Sequence, residues 1–212
     1  MENPLQNDGS SLTPPSNSRK TLRLFFSETL RELYFCETII SSEFGKIKHK
    51  IESQKLESIL QNHFMIHLRH KERLEKIFQM QNESLKPKEC PAIIALLNDA
   101  NEHFKIFSDD IVNWEIALIL TSRKLAHYKI AAYGAAAHLA INLNNHAAAT
   151  LLAIDVQEEE EFIENLCNFF QSKPFRLKEN YNLIHQVGSF NFKVSPQSPV
   201  LPLPRLLSAQ LY

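Results

Sequence analysis

From Thr21 to Phe170 apolar residues recur at spacings of three and four, and the residues that would interrupt such a pattern are scarce. The chain of 212 residues holds only four glycines, Gly9, Gly45, Gly134 and Gly188. With so few residues suited to tight turns, it is built for a small number of long helices. A first helix is predicted from Thr21 to near Lys50, with Leu30, Leu33, Tyr34, Ile40, Phe44 and Ile47 on one face. A second runs from about Ser53 to Ser84, with Leu56, Leu60, Leu74, Ile77 and Phe78 in register, and Pro87 closes it. Pro91 opens a shorter helix, Ala92 to Phe107. Asp109-Asp110 starts a third long helix to about Leu143, alanine-rich after Lys124 and broken by Asn144-Asn145. His146 to Phe170 forms the fourth. Four long helices, one short helix between the second and third, and no strand pattern predict an all-α four-helix bundle over residues 21–170.

The ends differ from the middle. Residues 1–20 are polar, contain Pro14-Pro15 and read as a disordered arm. Residues 171–212 carry Pro174, Pro196, Pro199, Pro202 and Pro204 among many apolar residues, and Gln197 to Pro204 resembles a polyproline II stretch. That extension reads either as a tail folded back on the bundle or as a segment that docks a protein partner.

Several function classes drop out. The net charge of -1 gives no field for nucleic acid or an anionic membrane surface. No window reaches the roughly 18 consecutive apolar residues of a membrane span. The glycines are placed so that neither a P-loop nor a dinucleotide fingerprint can be written, and there is no G-x-S-x-G or H-E-x-x-H motif. Cys36, Cys90 and Cys167 are far apart in sequence and read as free thiols. With a polar start lacking an apolar signal region, they lead us to expect a cytoplasmic protein.

Advancing about 100° per residue, each long helix places an ionisable group on its apolar stripe. These are Glu37 in the first helix, His63, His67 and His70 in the second, Lys129 in the third and Glu159 in the fourth. A buried charge costs several kcal/mol unless paired, so the convergence needs a cause. Di-metal carboxylate bundles supply one, with glutamates and histidines projecting inward from four helices. Plainer accounts exist for each residue. A core histidine is commonly just hydrogen-bonded, and Lys129 can extend its stem toward water. The run Glu158 to Glu161 is a solvated face with at most one member inward, and Tyr34, Tyr128 and Tyr133 are core residues with a polar tip. Cys90 has no evident partner and reads as a small hydrophobe.

The segment His127-Tyr128-Lys129-Ile130-Ala131-Ala132-Tyr133-Gly134 resembles the third-helix signature of the YciE/YciF family of ferritin-like proteins, E-H-Y-E-I-A-x-Y-G. Glu32 to Glu37, Glu72 to Phe78, Cys90-Pro91-Ala92 and Ala147 to Leu166 resemble that family's other motifs in the same order, over residues 22–170. The resemblance implies a ferritin-like bundle, a homodimer and a stress-related role. It also implies metal ligands, and only part of that set is kept. Glu37, His70 and Glu159 match ligand positions, whereas Lys129, Ile66 and Ile163 stand where the family has carboxylates. Two readings remain open. In one, the protein is a non-enzymatic interaction or structural protein without a cofactor, its di-metal site lost and Lys129 neutralising Glu37 and Glu159. In the other, Glu37, His70 and Glu159, assisted by His63 or His67, hold one iron or manganese ion. The direction taken by Lys129 separates them.

Overall fold

A computed structural model describes residues 16–172. Five α-helices follow one another: α1 (Ser16–Ile47), α2 (Gln54–Met80), α3 (Pro91–Ile106), α4 (Ile111–Asn142) and α5 (His146–Ser172). A single 3₁₀ turn, Lys48–Lys50, joins the first two. Among the described residues there is no strand. The proline-rich extension and its expected docking role lie outside the described residues.

Helix α1 begins at Ser16, so residues 16–20 belong to a helix and not to the disordered arm assigned to them. The side chains of residues 18–20 are exposed and polar, and the first fully packed residue among those described is Phe26. The turns before Phe26 extend a helix whose nucleation is already secured by the packed part. Helix α2 likewise ends at Met80 and not near Ser84. Asn82 adopts φ 54°, and the amides of Asn82 and Glu83 return to Gln79 and Phe78 carbonyls at 3.1 Å each. This left-handed cap satisfies the last carbonyls well before Pro87 is reached. Asn144 does the same for α4 at φ 60°, with Asn145 N–H donating to Ala140 O at 2.8 Å.

Helix α1 packs on α2 and α4, and α5 packs on α2 and α4, which closes a four-helix ring; α3 lies against α4 outside it. The N-terminus of α2 is held from across the bundle. Glu115 on α4 accepts from Glu52 N–H at 3.0 Å and Ser53 N–H at 2.7 Å. The interior is divided lengthwise. One apolar core joins Phe26, Leu30, Leu74, Ile77, Ala140 and Leu152. The other joins Leu56, Leu60, Trp114, Leu118, Phe162 and Leu166, and a third, smaller cluster of Cys36, Ile40, Cys90, Ile93, Leu97 and Leu125 forms where α3 meets α1 and α4. Ala136, Ala140 and Ala148 are fully buried, and their small side chains let α4 and α5 approach closely. Among the described residues no helix is long and apolar enough to cross a membrane.

Candidate functional site

Between the two cores every ring helix turns from apolar to ionisable and back. On α2 the face continues from Leu60 through His63, His67 and His70 to Leu74. On α5 it continues from Leu152 through Asp155 and Glu159 to Phe162. Glu37 on α1 and Lys129 on α4 complete the layer, and Glu37, His70, Lys129, Asp155 and Glu159 are all 0 % exposed.

Lys129 is at the centre. Its Nζ lies 2.6 Å from Glu159 Oε1 and 2.9 Å from Glu37 Oε1, with His67 Nδ1 at 3.0 Å. Glu37 also accepts from the Tyr133 hydroxyl at 2.7 Å and faces His70 Nδ1 at 3.1 Å, while its Oε2 meets His67 Nδ1. Glu159 Oε1 faces His63 Nε2 at 2.9 Å. The His63 ring stacks on Phe162, with centroids 3.4 Å apart and planes 6° from parallel. A second wing reaches toward solvent. Arg73 Nη1 donates to Asp155 Oδ1 at 2.5 Å and to Glu158 Oε2 at 2.6 Å. His70 Nε2 faces the same Glu158 oxygen at 3.1 Å, so His70 bridges the two wings.

The protonation states follow from these contacts. Burial by itself would raise the pKa of Glu37, but Lys129, His67 and His70 hold it well below the usual carboxylate range. Glu159 is lowered for the same reason, burial being outweighed by His63 and Lys129. Burial disfavours the Lys129 ammonium, yet Glu159 and Glu37 more than compensate and raise its pKa. His67 is driven down to about 3 by burial and by the Lys129 charge, so it is neutral at pH 7. His63 is also lowered by burial. His70 goes the other way: burial and Lys129 oppose its charge, but its bonds to Glu158 and Glu37 prevail. Asp155 is raised to about 7 by burial despite its short contact with Arg73. Arg73 is shared with Glu158, and Asp155 Oδ2 has no hydrogen-bond partner among the described residues. Ionised Glu37, Glu158 and Glu159 thus face Lys129 and Arg73, with Glu158 and Glu37 favouring the charged form of His70 and burial favouring the neutral form of Asp155.

The site residues expected from the sequence separate into two groups. Glu37, His63, His67, His70, Lys129 and Glu159 meet in one cluster. Ile66 and Ile163 do not join it. Both are half-buried, and Ile163 packs with the core around Trp114 and Phe162. The inward positions are His67 and Phe162, which lie three residues from His70 and Glu159 respectively, in register with the i, i+3 ligand pairs of metal-binding bundles. Asp155, Glu158, Arg73 and the Tyr133 hydroxyl were missed. Asp155 lies one turn before Glu159 and Arg73 three residues after His70, so helical spacing was the available signal. The acidic run sends two members to the site, since Glu158 reaches His70 and Arg73 beside inward Glu159. Cys90 does have a partner, the Tyr128 hydroxyl at 3.1 Å.

Two groups, His63-His67-Glu159 and His70-Asp155-Glu158, each bring ligand atoms within 4.8 Å of one another. An ammonium occupies the space between the two glutamates, and Phe162 brings an apolar ring where the i, i+3 pattern calls for a ligand.

The profile of the family described as Domain of unknown function (DUF892) matches residues 21–173. Protein YciF of Escherichia coli (strain K12) is 29% identical over 142 residues, covering 66% of this chain and 85% of that protein. The crystal structure of the E. coli stress protein YciF matches with a TM-score of 0.66 at 28% identity, over 71% of this chain and 94% of that one. YcfI from Rhodopseudomonas palustris matches with a TM-score of 0.67 over 71% of this chain and 96% of that one. At 24% identity that second likeness speaks for the fold alone.

Proposed function

The chain belongs to the DUF892 family, the YciE/YciF group of ferritin-like bundles, and from that premise we propose that it is a non-enzymatic structural or interaction protein whose di-metal centre has been replaced by a buried ion-pair network. The observation that carries this reading is the position of the Lys129 ammonium, within 3 Å of both Glu37 and Glu159 and sealed from solvent. One lysine supplies, without metal, the positive charge that two inward carboxylates require. The Phe162 ring stacked on His63 is consistent with an interior repacked around that lysine. A stress-related role, a homodimer and a cytoplasmic location belong to this reading, the first from the E. coli relative described as a stress protein. The test is metal analysis by mass spectrometry on protein purified without chelator. The reading expects no stoichiometric iron or manganese, and one ion or more per chain would overturn it.

A second reading, one metal ion, is favoured by Glu159 Oε2, which has no hydrogen-bond partner among the described residues. His63, His67 and Glu159 offer ligand atoms within 4.8 Å of one another. Such an ion has to displace the Lys129 ammonium or withstand its charge, which is why the first reading is preferred.

A further inference from the structure

The third apolar cluster contains two sulfur atoms. Cys36 comes from α1 and Cys90 is the residue just before α3, and both are free, buried thiols. The two thiols form a hydrogen-bonding pair. Cys90 Sγ also lies 3.1 Å from the Tyr128 hydroxyl of α4. The side chains packed around them, Ile40, Ile93, Leu97 and Leu125, are hydrocarbon.

A single buried cysteine behaves as a small hydrophobe. Two in contact from separate elements have a further chemistry, because a sulfenic acid formed on one is captured by the other as a disulfide before it is oxidised further. Cys90 is the member that a small oxidant reaches. Lys86 to Glu89, which lead into it, are exposed. That linker is tied back to α1 through Lys88 N–H, which donates to Arg31 O at 3.2 Å. Local opening of such a segment uncovers Cys90 without parting the ring helices. The backbone of Cys90 is extended, at φ -111° and ψ 99°. It stands outside the helical hydrogen bonding of α3, so it can close on Cys36 while α1 keeps its geometry.

We propose that Cys36 and Cys90 are the site of a reversible disulfide, formed by a hydroperoxide, that fastens the start of α3 to α1. The Cys90 sulfur attacks the terminal peroxide oxygen and the O–O bond breaks. The Cys90 proton goes to the departing oxygen, which leaves as an alcohol, or as water when the oxidant is hydrogen peroxide. Cys90 is then a sulfenic acid, with the Tyr128 hydroxyl beside its sulfur. The Cys36 sulfur displaces the hydroxyl group, the S–S bond forms, and the Cys36 proton leaves with that hydroxyl as water. Two thiols have lost two electrons and one peroxide has gained two. None of the ion-pair residues takes part, so the proposal is independent of whether the cluster between the cores holds metal.

The experiment uses the full chain, reduced and then freed of reductant, with hydrogen peroxide as the oxidant. After exposure the protein is unfolded, the remaining thiols are alkylated and the digest is read by mass spectrometry. The thiols should fall from three to one, with Cys167 still alkylated. A cross-linked pair of peptides carrying Cys36 and Cys90 should appear, lighter by two hydrogens than the sum of its parts, and dithiothreitol should restore all three thiols. Cys36→Ser should halt the sequence at a sulfenic acid on Cys90, which dimedone traps. If that variant does not fold, the cross-linked peptides of the parent carry the test. Three thiols surviving an excess of peroxide, a disulfide through Cys167, or sulfinic acid on Cys36 or Cys90 without the cross-link would each overturn the proposal.

Discussion

Lys129 Nζ lies 2.6 Å from Glu159 Oε1, and neither side chain has any exposed surface. Both partners have given up hydration, so the pair holds together only because each compensates the other. Glu37 extends the arrangement to a triad, and Tyr133 adds a neutral donor to the same carboxylate. A network of this kind is costly to break and directional, which suits it to setting the register of four helices.

Removing the ammonium should expose that cost. Lys129→Ala is expected to lose about 3–5 kcal/mol at pH 7, the range for breaking a buried pair. In the parent the folded pKa values of Glu37 and Glu159 are depressed, so their contribution is present above roughly pH 4.3 and is lost as pH falls through the folded values. In the variant one carboxylate has lost its counter-charge and its folded pKa rises, so protonation relieves the defect. Urea unfolding at pH 7 and pH 5 should show the deficit shrinking at the lower pH. A variant as stable as the parent at both values would remove the network from the account.

His67 is neutral in the folded protein, with a pKa of about 3 against roughly 6.5 when unfolded. Between those values the unfolded chain binds more protons, so His67 lowers stability as pH falls through that window. His70 and Asp155, both raised, act in the opposite sense, so the signal lies in a difference between proteins. His67→Gln keeps a polar group and removes the titration. Its stability should change relative to the parent by about 1.4 kcal/mol per pH unit between pH 6 and 4. Parallel pH profiles for the two proteins would show that His67 does not titrate in this way.

The metal-binding pattern should be recoverable at the positions that face inward. His67→Glu, Lys129→Glu and Phe162→His together place carboxylates and an imidazole at i, i+3 spacing around the cluster. The apo variant should be unstable, because like charges share a low-dielectric space. Manganese should restore it, with a gain of about 2.7 kcal/mol at a free concentration one hundred times Kd. Thermal unfolding with and without metal checks this, and the same changes made at Ile66 and Ile163 in place of His67 and Phe162 should give no metal-dependent gain.

Glu115 holds the start of α2 by accepting two amide hydrogens from the preceding residues. Glu115→Ala leaves both donors to find water and should cost about 1.5–3 kcal/mol. Glu115→Gln retains an acceptor oxygen and should recover part of that loss. Amide hydrogen exchange should localise the effect to the first turns of α2, and uniform loosening of the whole bundle would argue for a different role.

Gly134 sits inside α4 with nothing within 4 Å of where a Cβ would stand. Its backbone is not left-handed. Gly134→Ala should therefore stabilise the protein by about 0.5–1 kcal/mol through helix propensity. A loss of stability in thermal denaturation would point to an interface that needs the missing side chain.

The five helices and the interruption of each apolar stripe by an ionisable residue are legible in the amino-acid sequence, because inward-facing positions on a helix follow from a local period. The same holds for Asn144-Asn145 as a helix end, whereas the cap at Asn82 was masked by the more conspicuous Pro87 downstream. The helical period places His67 inward with His63 and His70, whereas Ile66 and Ile163, which came from the family resemblance, stand half-buried outside the cluster. Glu158 shows a second limit: it is half-exposed by position, and it enters the site only because Arg73 and His70 on another helix approach it. The sequence by itself determined that charge would be placed in the middle of a helical bundle. Only the tertiary structure decided which groups pair and which way Lys129 points, since a buried charge orients toward partners that come from other helices, and their distances are not a property of any one of them.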